Sequence, residues 1–587
     1  MKKIILNILG AALIVSATSC GSNILDENAV SVLTPSLLQT SQGVEAGVTG
    51  AYSGLRQLYG NEGDAFGTEA GTDAFTNGIQ SSSGLNDYDN NALTPLNDGS
   101  NSFRWSVCYT QINTINGVLQ YGPSAQGLTA ARLAQLIAEA KLLRAHFYFS
   151  LVQDFGDVPL QTTFVDAPSK DFTRSPQADI YTQILKDLAD ALATIADKPA
   201  QPGRLTRATA LHMLAKVYLT RATSPAKQST DYAMAAQYAK ELIDNQGRYG
   251  LSLEADVADV HREGNENGKE VIMNAQFNGD ATFSRIDGNN YGGENAMNFF
   301  FRSQYDQLPN MNRDINNGRP FARLAPTFFL LNSYILRDAN GNALESGPTL
   351  RTIDTRYNKW FTSVYRVNAP GANGGSNAAV VGDTSIWYPG RELSAAKLAQ
   401  IAARKPAPYR VFTPSQLTTQ FFPTMNKYDS RARTSVGGFS IRPVIVYRLA
   451  ETYLIAAEAY FYLGNSAQAA TYLNVVRERA GATGQKQLMD IAASQVNIDF
   501  VLDERLRELV GEQTRWQDLR RTVTASGASQ LLTRVRNTAY VPPLVKNSAG
   551  VYGSNAAANI KDFHVLRPIP QTEVDRTNGK ITQNAGY

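Results

Sequence analysis

Cysteine is nearly absent: Cys20 and Cys108 are the only two in 587 residues, and His146, His212, His261 and His564 are the only histidines. No two histidines stand at metal-ligand spacing and no cysteine accompanies them, so a zinc site is not expected. His146 and His212 fall in helical segments and read as packing or hydrogen-bonding residues. Charge is sparse too, at 18% of residues against roughly 25% in an average soluble protein. The formal net charge is +3, and part of it sits on Lys2 and Lys3. No domain-scale basic field exists, which argues against a nucleic-acid partner. The glycine clusters at 288–293 and 371–375 lack the Lys-Ser or Lys-Thr ending of a phosphate loop. No Gly-x-Ser-x-Gly nucleophile elbow is present. Surface Asp and Asn clusters could take calcium, but none follows the EF-hand loop. No cofactor is expected.

The N-terminus is more informative. Met1-Lys2-Lys3 is basic, Ile4–Val15 is apolar except for Asn7, and Ser16–Ser19 are small residues before Cys20. Residues 1–19 read as a secretory leader, too short for a membrane span of about 20 residues. A peptidase needs a narrow extended segment, which small residues supply, and a thiol takes a diacylglyceryl thioether readily. Ala17-Thr18-Ser19-Cys20 resembles a bacterial lipoprotein box, with Ala17 where Leu is more usual, so Cys20 is the expected lipidation site. Each buried methylene adds roughly 0.8 kcal/mol, so several acyl chains hold firmly where one is marginal. Simple cleavage is the alternative, and the two cysteines could pair in an oxidising compartment. Cys108 lies in an apolar helical pattern and reads better as a free, small hydrophobe. Residues 20–42 are expected to form a lipidated tether along the body.

Apolar residues at helical spacing predict helices over Gly43–Tyr59, from Trp105 to Leu119, and over Leu133–Gln153, Ile180–Ala196, Thr209–Arg221 and Tyr232–Asp244. Gly60–Asn101 reads as a long loop region, and loops beyond about 12–15 residues imply function or small extra elements. From about Gly247 to Pro443 the pattern predicts irregular insertions with a few strands and one helix at Arg391–Ala403. Helices are expected again over Val444–Leu463, Ser466–Ala480 and Asp499–Val523, and a mostly extended tail over Thr524–Tyr587. The body is thus one unit, 43–587. Its helical scaffold is 43–246 and 444–523, its loop-rich insertion 247–443 and its tail 524–587. Tyr453, Ala457, Tyr460, Gly464, Ala469, Leu473 and Val476 follow the offsets of a tetratricopeptide unit. Ala457 and Ala469 let two antiparallel helices approach closely. Leu211, Ala215 and Tyr218, followed by Ala236 and Ile243, repeat the idea. The expected fold class is all-α dominated.

Several segments carry a resemblance. They are EAKLLRAHFYF at 139–149 running into FGDVPL at 155–160, and GRLT at 203–206 with LAKVYL at 214–219. YRLAETYLIAAEA follows at 447–459. DERLREL at 503–509 precedes Gly511-Glu512 and RWQDL at 515–519. LRPIP at 566–570 precedes QNAGY at 583–587. In this order the chain resembles the SusD/RagB family of outer-membrane nutrient-binding lipoproteins of Bacteroidetes, over essentially its whole length. Leu506 stands where Arg is common, and Ala585 where Pro is common. The resemblance implies a right-handed scaffold of four tetratricopeptide-like helix pairs with long loop-rich insertions and a few short strands. It implies an outer-membrane, lipid-anchored protein facing the cell exterior. It also implies a SusC-like TonB-dependent barrel as partner, capture of oligosaccharide or polysaccharide nutrients with peptides as the alternative, and no catalytic set. An adaptor role on the helical repeats is a further alternative.

Arg144, Arg448 and Arg505 lie among apolar residues and need carboxylates, because an arginine charge is not cheaply removed. Glu139, Glu451, Glu458, Glu508 and Glu512 are close in sequence. Glu504 and Glu508 share a helix face and look like a glycosidase pair. The interleaved Arg505 and Arg507 would keep both ionised, which is wrong for a general acid. These residues therefore read as structural ion pairs. A sugar needs exposed rings for its C–H faces and amides, carboxylates or Arg for its hydroxyls. Four loop segments offer both: Asp73–Asn77, Asn86–Asn90, Asn289–Tyr291 and Trp387-Tyr388. Tyr291, Trp387 and Tyr388, with Phe75 or Tyr88, are the expected ligand patch. Trp105 and Trp516 are expected in the core, whereas Trp360 falls outside strong helical patterns.

Overall fold

The computed structural model describes residues 34–79, 93–97, 101–279, 294–338, 340–345 and 351–587. The leader, Cys20 and most of the expected tether lie outside those residues. The described chain is largely helical. Helix α1 (Ser41–Leu58) is followed by α2 (Asn101–Tyr121), α3 (Ala130–Phe155), α4 (Gln177–Leu192), α5 (Arg207–Arg221) and α6 (Asp231–Asp244). After the insertion, with its one longer helix α7 (Ala395–Ala402), come α8 (Leu449–Tyr462), α9 (Ser466–Ala480), α10 (Ile498–Leu509) and α11 (Arg515–Arg521).

The helices start where side chains satisfy the free backbone N–H groups of the first turn. Thr40 Oγ1 accepts from Gly43 N at 3.0 Å, and Thr129 Oγ1 from Arg132 N at 3.2 Å. Helix α3 stops at Gly156, whose φ of 75° closes the turn that follows. Successive helices pack on one another: α2 on α3, α3 on α4, α4 on α5, α5 on α6, α6 on α8 and α8 on α9. Their facing sides form one continuous apolar core. Leu38 is buried ahead of α1. A Cβ on Gly117 would lie 2.7 Å from Leu38 Cδ1, so glycine lets the Leu38 side chain approach α2 without shifting. The end of the stretch expected to be a tether is thus already packed on the body.

Eleven short strands occur among the described residues, in chain order β1 (Phe75–Asn77), β2 (Val271–Ala275), β3 (Leu324–Pro326), β4 (Phe361–Thr362), β5 (Val364–Arg366), β6 (Thr384–Trp387), β7 (Arg410–Val411), β8 (Thr424–Met425), β9 (Val444–Arg448), β10 (Val545–Asn547) and β11 (Gly550–Tyr552). Three expectations are corrected. Val444–Arg448 is strand rather than helix, because its β-branched run pairs antiparallel with β2. The helix expected over Asp499–Val523 is two, α10 and α11, parted where Gly511 (φ 71°) and Gln513 (φ 63°) take left-handed backbone. The tail is not mostly extended. It holds short helices at Gln530–Val535, Ala556–Asn559 and Gln571–Arg576 and the β10–β11 hairpin. There Leu531 and Val535 bury against Trp516 and Leu519 in a small second core. The loop region 60–101 likewise contains a helix, Glu62–Glu69.

Candidate functional site

A set of arginine, glutamate and aspartate side chains is buried within the body. Glu508 receives Arg448 at 2.7 Å, Arg356 at 3.0 Å and Arg479, all four buried. Arg448 also reaches Glu270 at 2.8 Å and Glu512 at 2.7 Å. Arg505 joins Asp518 at 2.8 Å and Glu451 at 3.1 Å, and Glu458 is held by Arg521 at 2.6 Å. Arg144 pairs with Asp187 at 2.7 Å rather than with the nearby Glu139. Five residues along a helix turn a side chain well away from the same face, and Glu139 accepts from Arg204 at 2.8 Å and Tyr52 at 2.8 Å instead. Burial pushes the Glu508 carboxyl up, but Arg479, Arg448 and Arg356 outweigh it and hold it at about 2. Burial acts likewise on Glu504, and Arg356, Arg507 and Arg477 hold it far below the carboxylate range. Neither carboxyl carries a proton to donate at neutral pH. His146 bridges Tyr59 and Tyr447, 3.0 Å to each hydroxyl, and His212 lies 2.8 Å from Thr452 Oγ1. Among the described residues no group of three or more His, Cys, Asp or Glu side chains could hold a metal ion.

The insertion is built differently. Strand β6 pairs antiparallel with β5 and parallel with β7. Tyr365 and Ile386 turn inward from this sheet and are buried. On the outer side Val364, Arg366, Thr384 and Trp387 form one wall of an open groove of about 790 Å³. The facing wall is Arg391–Ser394 and Lys397, with Tyr409 also in the lining. Ser394 caps α7 by accepting from Lys397 N at 3.2 Å, which sets that wall in place. Trp387 and Tyr409 are partly exposed, with ring centroids 6.4 Å apart at 69°. Glu392 accepts from Ser415 N at 2.8 Å and from its hydroxyl at 3.0 Å. Arg404 lies over the Tyr409 ring at 5.7 Å and pairs with Asp383 at 3.2 Å. The groove thus offers rings, hydroxyl, carboxylate and guanidinium groups around one open volume. That is the mixture a polyhydroxylated ligand requires.

Of the five aromatics expected in a ligand patch, Trp387 lines this groove. Tyr88 and Tyr291, with the Asn86–Asn90 and Asn289–Tyr291 segments, lie outside the described residues. Phe75 and Tyr388 are corrected: they are 0% and 1% exposed. Phe75 packs edge-on against Phe301 at 5.0 Å, and its neighbour Asp73 is buried between Arg515 at 2.6 Å and Arg534 at 2.9 Å. Tyr388 stacks on Phe412 at 5.5 Å, its hydroxyl 3.2 Å from Ser303 Oγ. Adjacent residues of an extended chain point to opposite faces, so Trp387 and Tyr388 cannot share one surface. Trp105 and Trp516 are buried, and Trp360 is buried too, beneath the Lys427 ammonium at 3.8 Å. Sequence reasoning missed Tyr409, Arg391 and Lys397. The Pro406-Ala407-Pro408 run before Tyr409 was the available signal of a ring on an ordered loop.

A second depression, of about 450 Å³, lies along Pro199–Arg204, and its one aromatic lining residue, Tyr249, is 6% exposed. A small cavity between Tyr59, Arg104 and Gln513 measures about 50 Å³, far below the size of a ligand pocket.

Comparison with known proteins agrees with this architecture. Residues 269–587 match the SusD family, and residues 25–219 match a second family described as "Starch-binding associating with outer membrane". The chain belongs to the SusD family. A SusD-like protein of Formosa agariphila is 25% identical over 97% of both chains. The starch-binding protein SusD of Bacteroides thetaiotaomicron is 24% identical over 79% of this chain and 74% of its own. Among solved structures, a SusD homolog from Bacteroides thetaiotaomicron superposes with a TM-score of 0.69 at 20% identity, covering 94% of this chain and 97% of its own. A laminarin-binding SusD-like protein gives 0.64 at 23% identity, covering 94% and 100%. The family consists of non-catalytic binding proteins associated with the outer membrane, and its members typically pair with a SusC-like TonB-dependent transporter. The protein is a binding protein and not an enzyme. Among the described residues no helix is long and apolar enough to cross a membrane.

Proposed function

We propose that this protein captures a saccharide in the Trp387–Tyr409 groove and passes it to a SusC-like TonB-dependent barrel in the outer membrane. Lipid on Cys20, after removal of residues 1–19, holds it at the cell exterior. Four right-handed tetratricopeptide-like pairs form the scaffold that meets the barrel. Family membership supports the uptake role. The names of relatives support the ligand class: one is a starch-binding protein, another binds laminarin, and a third was solved with laminarihexaose. The observation that carries the reading is the partly exposed Trp387 set edge-on to Tyr409 in an open, polar-lined groove. A ring held in this way offers a flat apolar face to a sugar without ordering cost at binding.

Isothermal titration against a panel of polysaccharides and peptides tests this. Trp387→Ala is expected to weaken saccharide binding by about 2 kcal/mol, the scale of one anchoring aromatic. Equal affinity in wild type and variant would remove the groove from the site. Binding confined to peptides would replace the ligand class.

A further inference from the structure

We infer that the groove selects an acidic saccharide, a sugar bearing a carboxylate or a sulfate ester, over a neutral one. This rests on the saccharide reading of the groove. Arg366 projects from the sheet wall, and Arg391 and Lys397 from the wall that faces it, so cationic groups flank the Trp387–Tyr409 pair on both sides. One carboxylate, Glu392, stands against them, and it already accepts two hydrogen bonds from Ser415.

The partners of Arg366 and Lys397 set these two apart from the buried arginines of the body. Arg366 donates to the Thr384 hydroxyl at 3.1 Å and Lys397 to the Gln400 amide oxygen at 2.9 Å. Neither makes an ion pair among the described residues. Arg404, just outside the lining, is neutralised by Asp383. The whole chain carries a formal charge of only +3 in 587 residues, so a local cationic excess here does not follow from general basicity. Low-dielectric walls around an excess of one sign raise the local concentration of the opposite one. A guanidinium also matches the planar, two-oxygen geometry of a carboxylate or sulfate. A sugar stacked on Trp387 would present its ring substituents to both walls. An anionic substituent would then meet a cation on either side.

The test uses the full chain and three polymers of matched length: polygalacturonate, a sulfated galactan and neutral laminarin, each titrated at low and high salt. The expected result is tighter binding of at least one acidic polymer than of laminarin, with a preference that shrinks as salt rises. The double variant Arg366→Gln/Lys397→Gln should cut the ratio of acidic to neutral affinity about tenfold, the scale of two exposed charge contacts. Arg576→Gln, an exposed cation far from the groove in sequence, serves as control and should leave the ratio unchanged. Preference for polygalacturonate identifies a carboxylate ligand, and preference for the galactan a sulfate ester. A ratio at or below one in wild type, or one that the double variant leaves in place, overturns the inference. Trp387→Ala separates the two readings. If it still weakens laminarin binding, the groove stands and only the charge selection fails. If it changes nothing with any polymer, the groove itself is wrong.

Discussion

Arginine does two different things in two regions of this molecule, the buried network around Glu508 and the open groove beside Trp387. Around Glu508, Arg448 and Arg479 from the helical body and Arg356 from the insertion converge, and each of these charges is buried beside its opposite. In the insertion Arg366 and Lys397 border an open groove and, among the described residues, are met by neutral oxygens and no carboxylate. The same chemistry organises a core in one place and leaves exposed cations along an open groove in the other. What separates the cases is whether the fold itself supplies the carboxylate. Breaking a buried pair leaves an uncompensated charge in low dielectric, whereas an exposed cation costs little to keep or to lose.

The sharpest way to break this comparison is Glu508→Gln. It leaves three arginines short of a charge partner and should cost about 3–5 kcal/mol of stability, read as a shift in denaturant midpoint. A shift under about 0.5 kcal/mol, the scale of an ordinary surface change, would mean that the network holds nothing together. Next in size is the Trp387/Tyr388 contrast. Tyr388→Phe should lose about 1 kcal/mol of stability with its hydrogen bond to Ser303, while ligand affinity stays put. Trp387→Ala should do the reverse. If both variants shift the same quantity, the two rings do not face opposite sides.

Acid should act on the body first. Burial, with Lys216 and Arg104 adding to it, lowers His146 from an ordinary 6.5 to about 3. Its contribution is present above 6.5 and is lost as pH falls toward 3. Glu508 lies at about 2 against an ordinary 4.5, so its contribution is present above 4.5 and is lost as pH falls toward 2. Glu69 works in the opposite sense. Burial raises it from 4.5 to about 8, and its contribution, present below 4.5, is lost as pH rises toward 8. Melting temperature against pH for wild type and His146→Gln isolates the histidine share. The two curves should converge as pH drops from 6.5, and parallel curves would contradict a buried neutral imidazole. The smallest effect is expected for Arg366→Gln, within about 0.5 kcal/mol of wild-type stability. A larger loss would place that residue with the structural arginines.

The helices were legible because their apolar spacing is long and regular. Ser466–Ala480 falls where periodicity puts it. Val444–Arg448 was not, because a short apolar run reads equally as strand or helix until its partner β2 is known. Arg144 showed that it needed a carboxylate but not which one, since Asp187 comes from the next helix. The groove was half legible. An aromatic in irregular sequence marked Trp387. The strand alternation that hides Tyr388, and the fold that brings Arg391, Lys397 and Tyr409 to it, exist only in three dimensions.

One consequence concerns the end of β6, where Trp387 closes the strand and Tyr388 follows it. Trp387 and Tyr388 are consecutive, so the backbone that presents one ring outward is pinned from behind by the other, through Phe412 and Ser303. A recognition surface anchored residue by residue in this way is preorganised. A guest seated there, as proposed above, would find little freedom left to freeze.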